Sequence, residues 1–293
     1  MRWLSDVWSV LSEAASDWFE DNAMRMGAAL AFYSVLSLAP LLLIAISLAG
    51  LFYDEAEARA QLLTQVGELV GKDGAEAIQG MLDSGTKAGG TIATVVGIVT
   101  LIFGASGVFG ELQSAMDAVW DVKPKPTTIL GLLRARFLSF AMVLGTGFLL
   151  VVSLLLSTAI ASLHSSARGV MPEWEWLWHG LSLAVTFAVV TLLFALIYKL
   201  LPDAKVAWHD VWAGAILTSI LFTIGKFAIG LYLGQSGLAS GYGAAGSLVV
   251  LIVWIYYSAQ ILFFGAEITH VIASDSKKQV KPEPHAVASP DAK

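Results

Sequence analysis

The chain contains no cysteine. That absence excludes disulfides, thiolate zinc sites, iron–sulfur clusters and a cysteine nucleophile in one step. Charge is also scarce: Asp, Glu, Lys and Arg make up 14% of the 293 residues, where a soluble domain carries about a quarter. So few charges cannot cover a water-facing surface, and part of the solvent must be lipid. The scarcer sign is positive, with 17 basic residues against 23 acidic ones and a formal net charge of -6. Phosphate backbones are bound by basic surfaces, so nucleic acid is not an expected partner.

Catalytic signatures are missing as well. There is no GxxxxGK[ST] loop to cradle a nucleotide's phosphates, no HExxH and no GxSxG elbow. The five histidines, His164, His179, His209, His270 and His285, are scattered, with no paired His–Asp cluster. We therefore expect no enzyme, no catalytic residue, no metal site and no cofactor.

What the chain does have is apolar length. Hydrophobic residues make up 57% of it, and the mean hydropathy is +0.73. A hydrocarbon core of ~30 Å needs ~20 apolar helical residues. Six segments meet that, at about Gly27–Phe52, Gly90–Phe109, Phe137–Ala161, Gly180–Leu201, Val211–Leu233 and Ala244–Val271. The expected fold is therefore all-α: a polytopic membrane protein whose six transmembrane helices occupy residues 27–272.

Orientation follows from the distribution of lysine and arginine. Arg2, Arg25, Lys123, Lys125, Arg134, Arg136, Lys199, Lys205 and the four lysines after residue 276 share one side. Only Arg59, Lys72, Lys87 and Arg168 fall on the other, and Lys226 lies within a span. This bias places both termini in the cytoplasm.

Three further segments surround the spans. Residues 1–26 read as an amphipathic cytoplasmic-side helix, with Leu4, Val7, Leu11, Ala15, Trp18 and Phe19 at three- and four-residue steps. Such a helix packs against the spans or lies among the headgroups. Its acids, where a cleaved signal would carry a basic start, argue against a signal peptide. Residues 54–89 hold two short helical patterns rich in Asp and Glu, read as a small helical extracytoplasmic cap. Residues 273–293, rich in Lys, Pro and Ser, read as a disordered cytoplasmic tail. Trp174, Trp176 and Trp178 crowd the start of the fourth span, where amphipathic rings favour the headgroup layer.

Polar residues within spans supply the candidate sites, because an ionisable group in lipid is costly and faces protein or water. Lys226 lies seven residues before Leu233, ~10 Å along a helix, farther than a lysine stem snorkels in full. It is either a structural tie to a carbonyl or carboxylate, or a cation awaiting an anionic headgroup or substrate. In the sixth span Tyr256, Gln260, Glu267 and His270 share one helical face. Arg25, Arg134 and Arg136 are candidate cytoplasmic-side ion-pair partners for Glu267. In the second span Gly90, Ala93, Gly97, Thr100, Gly104 and Gly107 form a small-residue stripe leading to Glu111. The stripe either packs a neighbouring helix closely or lines a groove with Glu111 at its mouth. Pro40 interrupts the first span and removes a backbone donor, with Ser34 and Ser37 one turn earlier.

Four blocks carry a resemblance: GAALAFYSVLSLAPLL, FGASGVFGELQSAMDAVWDV, LPDAKVAWHDVWAGAILTSILFTIGKFAIGLYLG and YGAAGSLVVLIVWIYYSAQILFFGAEIT. In order and spacing they resemble the YihY/BrkB family of bacterial inner-membrane proteins, over about residues 15–272. The resemblance implies a six-helix bundle in the bacterial cytoplasmic (inner) membrane. That family has carried ribonuclease and virulence-factor labels, and lipid or envelope transport has been suggested for members. It brings no catalytic motif to these positions, and the ribonuclease label finds no residues here to support it. The functional expectation is a transporter or lipid-translocating protein not driven by its own nucleotide hydrolysis. The alternative is a non-catalytic scaffold for envelope or division machinery. Membrane lipids are the expected partners, and a homo-oligomer is compatible with the packing stripes.

Overall fold

The computed structural model describes residues 2–49, 54–87, 91–125, 175–235, 242, 245–275, 282–284 and 286–289. The third expected span, Arg134, Arg136 and Trp174 lie outside the described residues, as do the side chains of Trp176 and Trp178.

Seven helices and two strands occur among the described residues, in the order α1 (Arg2–Glu20), α2 (Ala23–Ala49), α3 (Glu55–Lys87), α4 (Thr91–Val119), β1 (Val122–Pro124), α5 (Glu175–Leu200), α6 (Trp208–Gln235), α7 (Gly246–Asp275) and β2 (Ala286–Ala288). Among the described residues, four helical stretches are long and apolar enough to cross a membrane: Ala23–Leu43, Leu183–Leu200, Trp208–Tyr232 and Gly246–Ser274. They match the first, fourth, fifth and sixth expected spans. The second falls within α4, which runs ten residues past the expected end at Phe109. Those extra turns are amphipathic, burying Leu112, Ala115, Met116 and Val119, so a hydropathy window stops before the helix does.

Local chemistry explains the boundaries. Asn22 takes a left-handed conformation, with φ 56°, which a short polar side chain tolerates. Its carbonyl then accepts from Arg25 N at 2.9 Å and Met26 N at 3.2 Å, starting α2. Asp54 caps α3, its Oδ1 accepting from Ala56 N at 2.9 Å and Glu57 N at 3.2 Å. Within α3 the helical geometry breaks at Gly71, where φ is 80°, a conformation open to glycine. The two halves correspond to the two short patterns read from the sequence, and Arg59 and Asp83 form an ion pair between them.

The chain divides into two compact units. The first comprises Met1–Ala14, Met116–Ile220 and Gly265–Lys293, and the second Ala15–Ala115 and Leu221–Phe264. In the second, Val70, Ala77, Ile78 and Leu82 of α3 share a core with Ile46 of α2 and Leu251 of α7. Leu42, Leu43 and Trp254 pack around it. The segment between the first two spans is thus no purely solvated cap: one face is packed, while Glu57, Lys72, Glu76 and Gln79 stay exposed.

The first unit contains the only two strands among the described residues, a departure from a purely helical fold. β2 pairs antiparallel with β1 in the register Val122↔Ala288, Lys123↔Val287 and Pro124↔Ala286. A tail whose composition reads as disordered therefore carries a strand. Its ordering comes from main-chain bonds to a distant segment, which leave no periodicity in the tail itself.

Apolar side chains stand exposed along these helices. On α6, Trp208, Trp212, Ile216, Ile220, Ile224, Phe227 and Leu231 form one exposed ridge at steps of four and three. Phe32 on α2 and Val95, Val99 and Phe103 on α4 are exposed too. Water would not tolerate so long a ridge on a monomer; hydrocarbon does.

Candidate functional site

Six of the sequence-derived candidates fall in the second unit: Arg25, Pro40, Glu111, Lys226, Tyr256 and Gln260. Lys226 is half-buried on α6, one residue after Gly225, which lies against α7. A Cβ at Gly225 would meet Ile261 Cδ1 at 2.6 Å and the Tyr257 hydroxyl at 2.8 Å. The backbone beside the lysine is therefore held tightly to α7. Among the described residues Lys226 makes neither a hydrogen bond nor an ion pair, so the carboxylate tie is not realised there.

Gln260 sits on α7 against Gly27 of α2, where an added Cβ would fall 2.0 Å from Nε2. Both its amide oxygen and nitrogen are buried without a hydrogen-bond partner among the described residues. A buried amide left so costs on the order of 2–7 kcal/mol, which a water or a polar ligand atom would recover. Tyr256 and Glu111 are half-buried, and Arg25 is exposed.

Pro40 is half-buried inside an α2 that continues to Ala49. The Ser37 hydroxyl donates to the Ser34 carbonyl at 3.1 Å, rather than to that of Leu36, the acceptor opposite the missing proline donor. The stripe on α4 packs. A Cβ at Gly104 would lie 2.7 Å from Ser37 Cβ and 3.0 Å from its Cα, and one at Gly107 would lie 2.3 Å from Tyr33 Cδ1. At these two positions the small residues admit α2, leaving no groove.

Glu267 belongs to the first unit and is completely buried on α7. One turn on, the ring of His270 lies 5.1 Å from that of Trp120, centroid to centroid.

The sequence reading missed a helix clasp in the first unit. Gly214 and Thr218 on α6 face Thr269 and Gly265 on α7. A Cβ at Gly214 would lie 1.7 Å from Thr269 Oγ1, and one at Gly265 would lie 1.9 Å from Thr218 Oγ1. Each threonine hydroxyl donates to the glycine carbonyl four residues earlier on its own helix, both at 2.7 Å. Tyr198 of α5 adds its hydroxyl, 3.1 Å from Thr218 Oγ1. The signal was present as Gly-x-x-x-Thr on both helices.

Also missed were three buried acids. Asp117 Oδ1 accepts from the backbone of Asp203 at 2.8 Å, and Asp210 Oδ1 lies 2.7 Å from His209 Nε2. Lys199 donates to the Val206 carbonyl and stands 5.9 Å from the Trp208 ring centroid. These contacts fix the loop from Leu201 to Ala207 between α5 and α6.

Apolar spanning helices with exposed hydrocarbon-facing ridges and polar residues held within them define a multi-pass helical membrane protein. The family model described as Virulence factor BrkB matches residues 14–290, and the chain belongs to that family. It is similar to a UPF0761 membrane protein of Rhodospirillum centenum, 25% identical over 270 residues, covering 91% of this chain and 58% of that one. A UPF0761 membrane protein of Alkalilimnicola ehrlichii is 27% identical over 260 residues, covering 87% of this chain and 56% of the relative. One from Xanthomonas oryzae pv. oryzae is 26% identical over 261 residues, with coverages of 87% and 58%. The chain thus spans little more than half the length of these relatives. No solved structure matches it.

Proposed function

We propose that this chain is a transporter or lipid-translocating protein of the bacterial inner membrane, without nucleotide hydrolysis or other catalysis of its own. It crosses the membrane six times with both termini in the cytoplasm. The observation that carries the reading is Lys226, a cation inside an apolar span with no anionic partner among the described residues. A charge at the centre of a span costs ~2.5–3.5 kcal/mol on insertion scales, and Lys226, nearer the outer end, carries part of that cost. A phosphate or carboxylate headgroup entering beside α6 would offset that cost. Gln260, whose buried amide has no hydrogen-bond partner among the described residues, adds a neutral polar point on α7. Tyr256, Glu111 and Pro40 are the further candidates for the path in the same unit.

The test is lipid scrambling in proteoliposomes, using a fluorescent phospholipid and comparing wild type with Lys226→Ala. Protein-dependent loss of leaflet asymmetry that falls at least about tenfold in the variant supports the reading. A flat wild-type trace from folded protein removes passive movement of that lipid.

A scaffold role is the second reading, favoured by the exposed polar face of α3 opposite its packed one. Under either reading membrane lipids are the proposed partners and nucleic acid is not among them, and a homo-oligomer is compatible with both.

A further inference from the structure

The tail segment from Pro282 to Ser289 touches two separate parts of the first unit, almost wholly through main-chain groups. β2 pairs with β1 along three residues. Beyond that pairing, Ser289 N donates to the Asp121 carbonyl at 2.6 Å. On the other flank, Glu283 N donates to the Asp203 carbonyl at 2.8 Å, and Pro282 forms a bridge with Ala204. Lys125 closes the middle, its Nζ donating to the Pro284 carbonyl at 2.7 Å.

Apolar burial in this segment is thin. Ala286 is buried, whereas Pro284, Val287 and Ala288 are exposed. On the accepting side Val122 is buried, but Lys123, Pro124 and Lys125 are exposed. A two-stranded pairing with so little hydrophobic support is marginal in water. Proline at positions 124, 282 and 284 stops the ladder from lengthening. The accepting surface itself rests on stronger footing. Asp117 holds the backbone of Asp203, Lys199 holds Val206, and Leu201, Ala204 and Val206 are buried. A firm acceptor and a weakly held occupant differ in local stability, which is the condition for release without unfolding the rest.

We propose that β1 and the α5–α6 loop form a docking surface for an extended peptide, and that its resident is the chain's own segment Pro282–Ser289, held as a releasable strap. Because the segment follows α7, the docked strap ties the end of α7 to the end of α4 and to the α5–α6 link. Its release removes this tie and leaves the Asp117–Asp203 bond and the Trp120–His270 ring contact in place. The recognition is by main-chain pairing, with Lys125 selecting a carbonyl at one position. This inference does not depend on the transport reading.

The absence of cysteine makes the test direct. In the full chain, Val122→Cys with Ala288→Cys places two thiols on facing positions of an antiparallel pair, a spacing that admits a disulfide. Lys123→Cys with Ala288→Cys is the off-register control, since adjacent strand residues point to opposite faces. The expected result is an intramolecular cross-link in the first pair at several times the rate of the control. Equal rates would overturn docking. Hydrogen exchange on the wild-type chain tests release without any substitution. Amides of Glu283 and Ala286–Ser289 should exchange at least about 100-fold faster than those in the middle of α7. Exchange as slow as the α7 core would show a permanent fixture and overturn the strap.

Discussion

Threonine against glycine is the smallest unit of this bundle that does identifiable work. Because Thr218 and Thr269 bond back to Gly214 and Gly265 on their own helices, their hydroxyls need nothing from the opposite helix. The two backbones then close without stranding a polar group. Replacing Gly265 with Val would drive a side chain into Thr218 and Tyr198, and overpacking costs about 1–3 kcal/mol. Tyr198→Phe removes one hydroxyl contact, where hydrogen bonds in membrane bundles average about 0.6 kcal/mol. Denaturant unfolding in detergent should rank Gly265→Val well below Tyr198→Phe, with the latter near wild type. An equal loss in both would mean that the hydroxyl chain, and not close approach, holds α5, α6 and α7. The clasp is hard to see in sequence because its two halves lie some fifty residues apart and each is an ordinary Gly–Thr pair. Lys226 was legible for the opposite reason: one ammonium in an apolar run violates the local solvent rule by itself. Gln260 was legible as polar, but only packing against Gly27 reveals that its amide is buried.

At the scale of the element, among the described residues, hydropathy found helices where lipid alone dictates composition and stopped short where protein supplies the surroundings. α4 continues past its apolar window because Leu112, Ala115, Met116 and Val119 are buried in protein. The strand β2 was invisible because strand pairing of three residues is set by a distant partner. α3 was legible as two helical patterns with a break, since Gly71 offers the positive φ that the break requires. The segment between α4 and α5 supplies the next prediction, because six spans require it to cross once. Single cysteines at Thr127 and Ser166 should then lie on opposite sides. A membrane-impermeant maleimide added outside intact spheroplasts should label Ser166→Cys, and Thr127→Cys only after permeabilisation. Labelling of both from outside would reduce the spans to an odd number and return the termini to opposite sides.

For the molecule as a whole, the two functional readings divide on what α3 is for. Deleting residues 54–89 would not separate them, because α3 shares a core with α2 and α7. Its loss would strip Ile46 and Leu251 of their neighbours, so a failed phenotype would report misfolding. The helix must instead be taken apart by face. Leu82 and Ile78 are buried, and Leu82→Ala should cost about 2–5 kcal/mol through the cavity it leaves. Glu57→Ala and Glu76→Ala lie on the exposed face, where substitutions stay within about 0.5 kcal/mol. The double variant should therefore fold and, if transport resides in the spans, scramble lipid at the wild-type rate. A scaffold predicts otherwise for the same folded protein: no protein-dependent scrambling in the variant or the wild type, and a cell-envelope defect as severe as that of the null strain. Proteoliposome flux and envelope integrity measured on this one folded variant thus decide between a bundle that moves its ligand and one that presents a face to a partner.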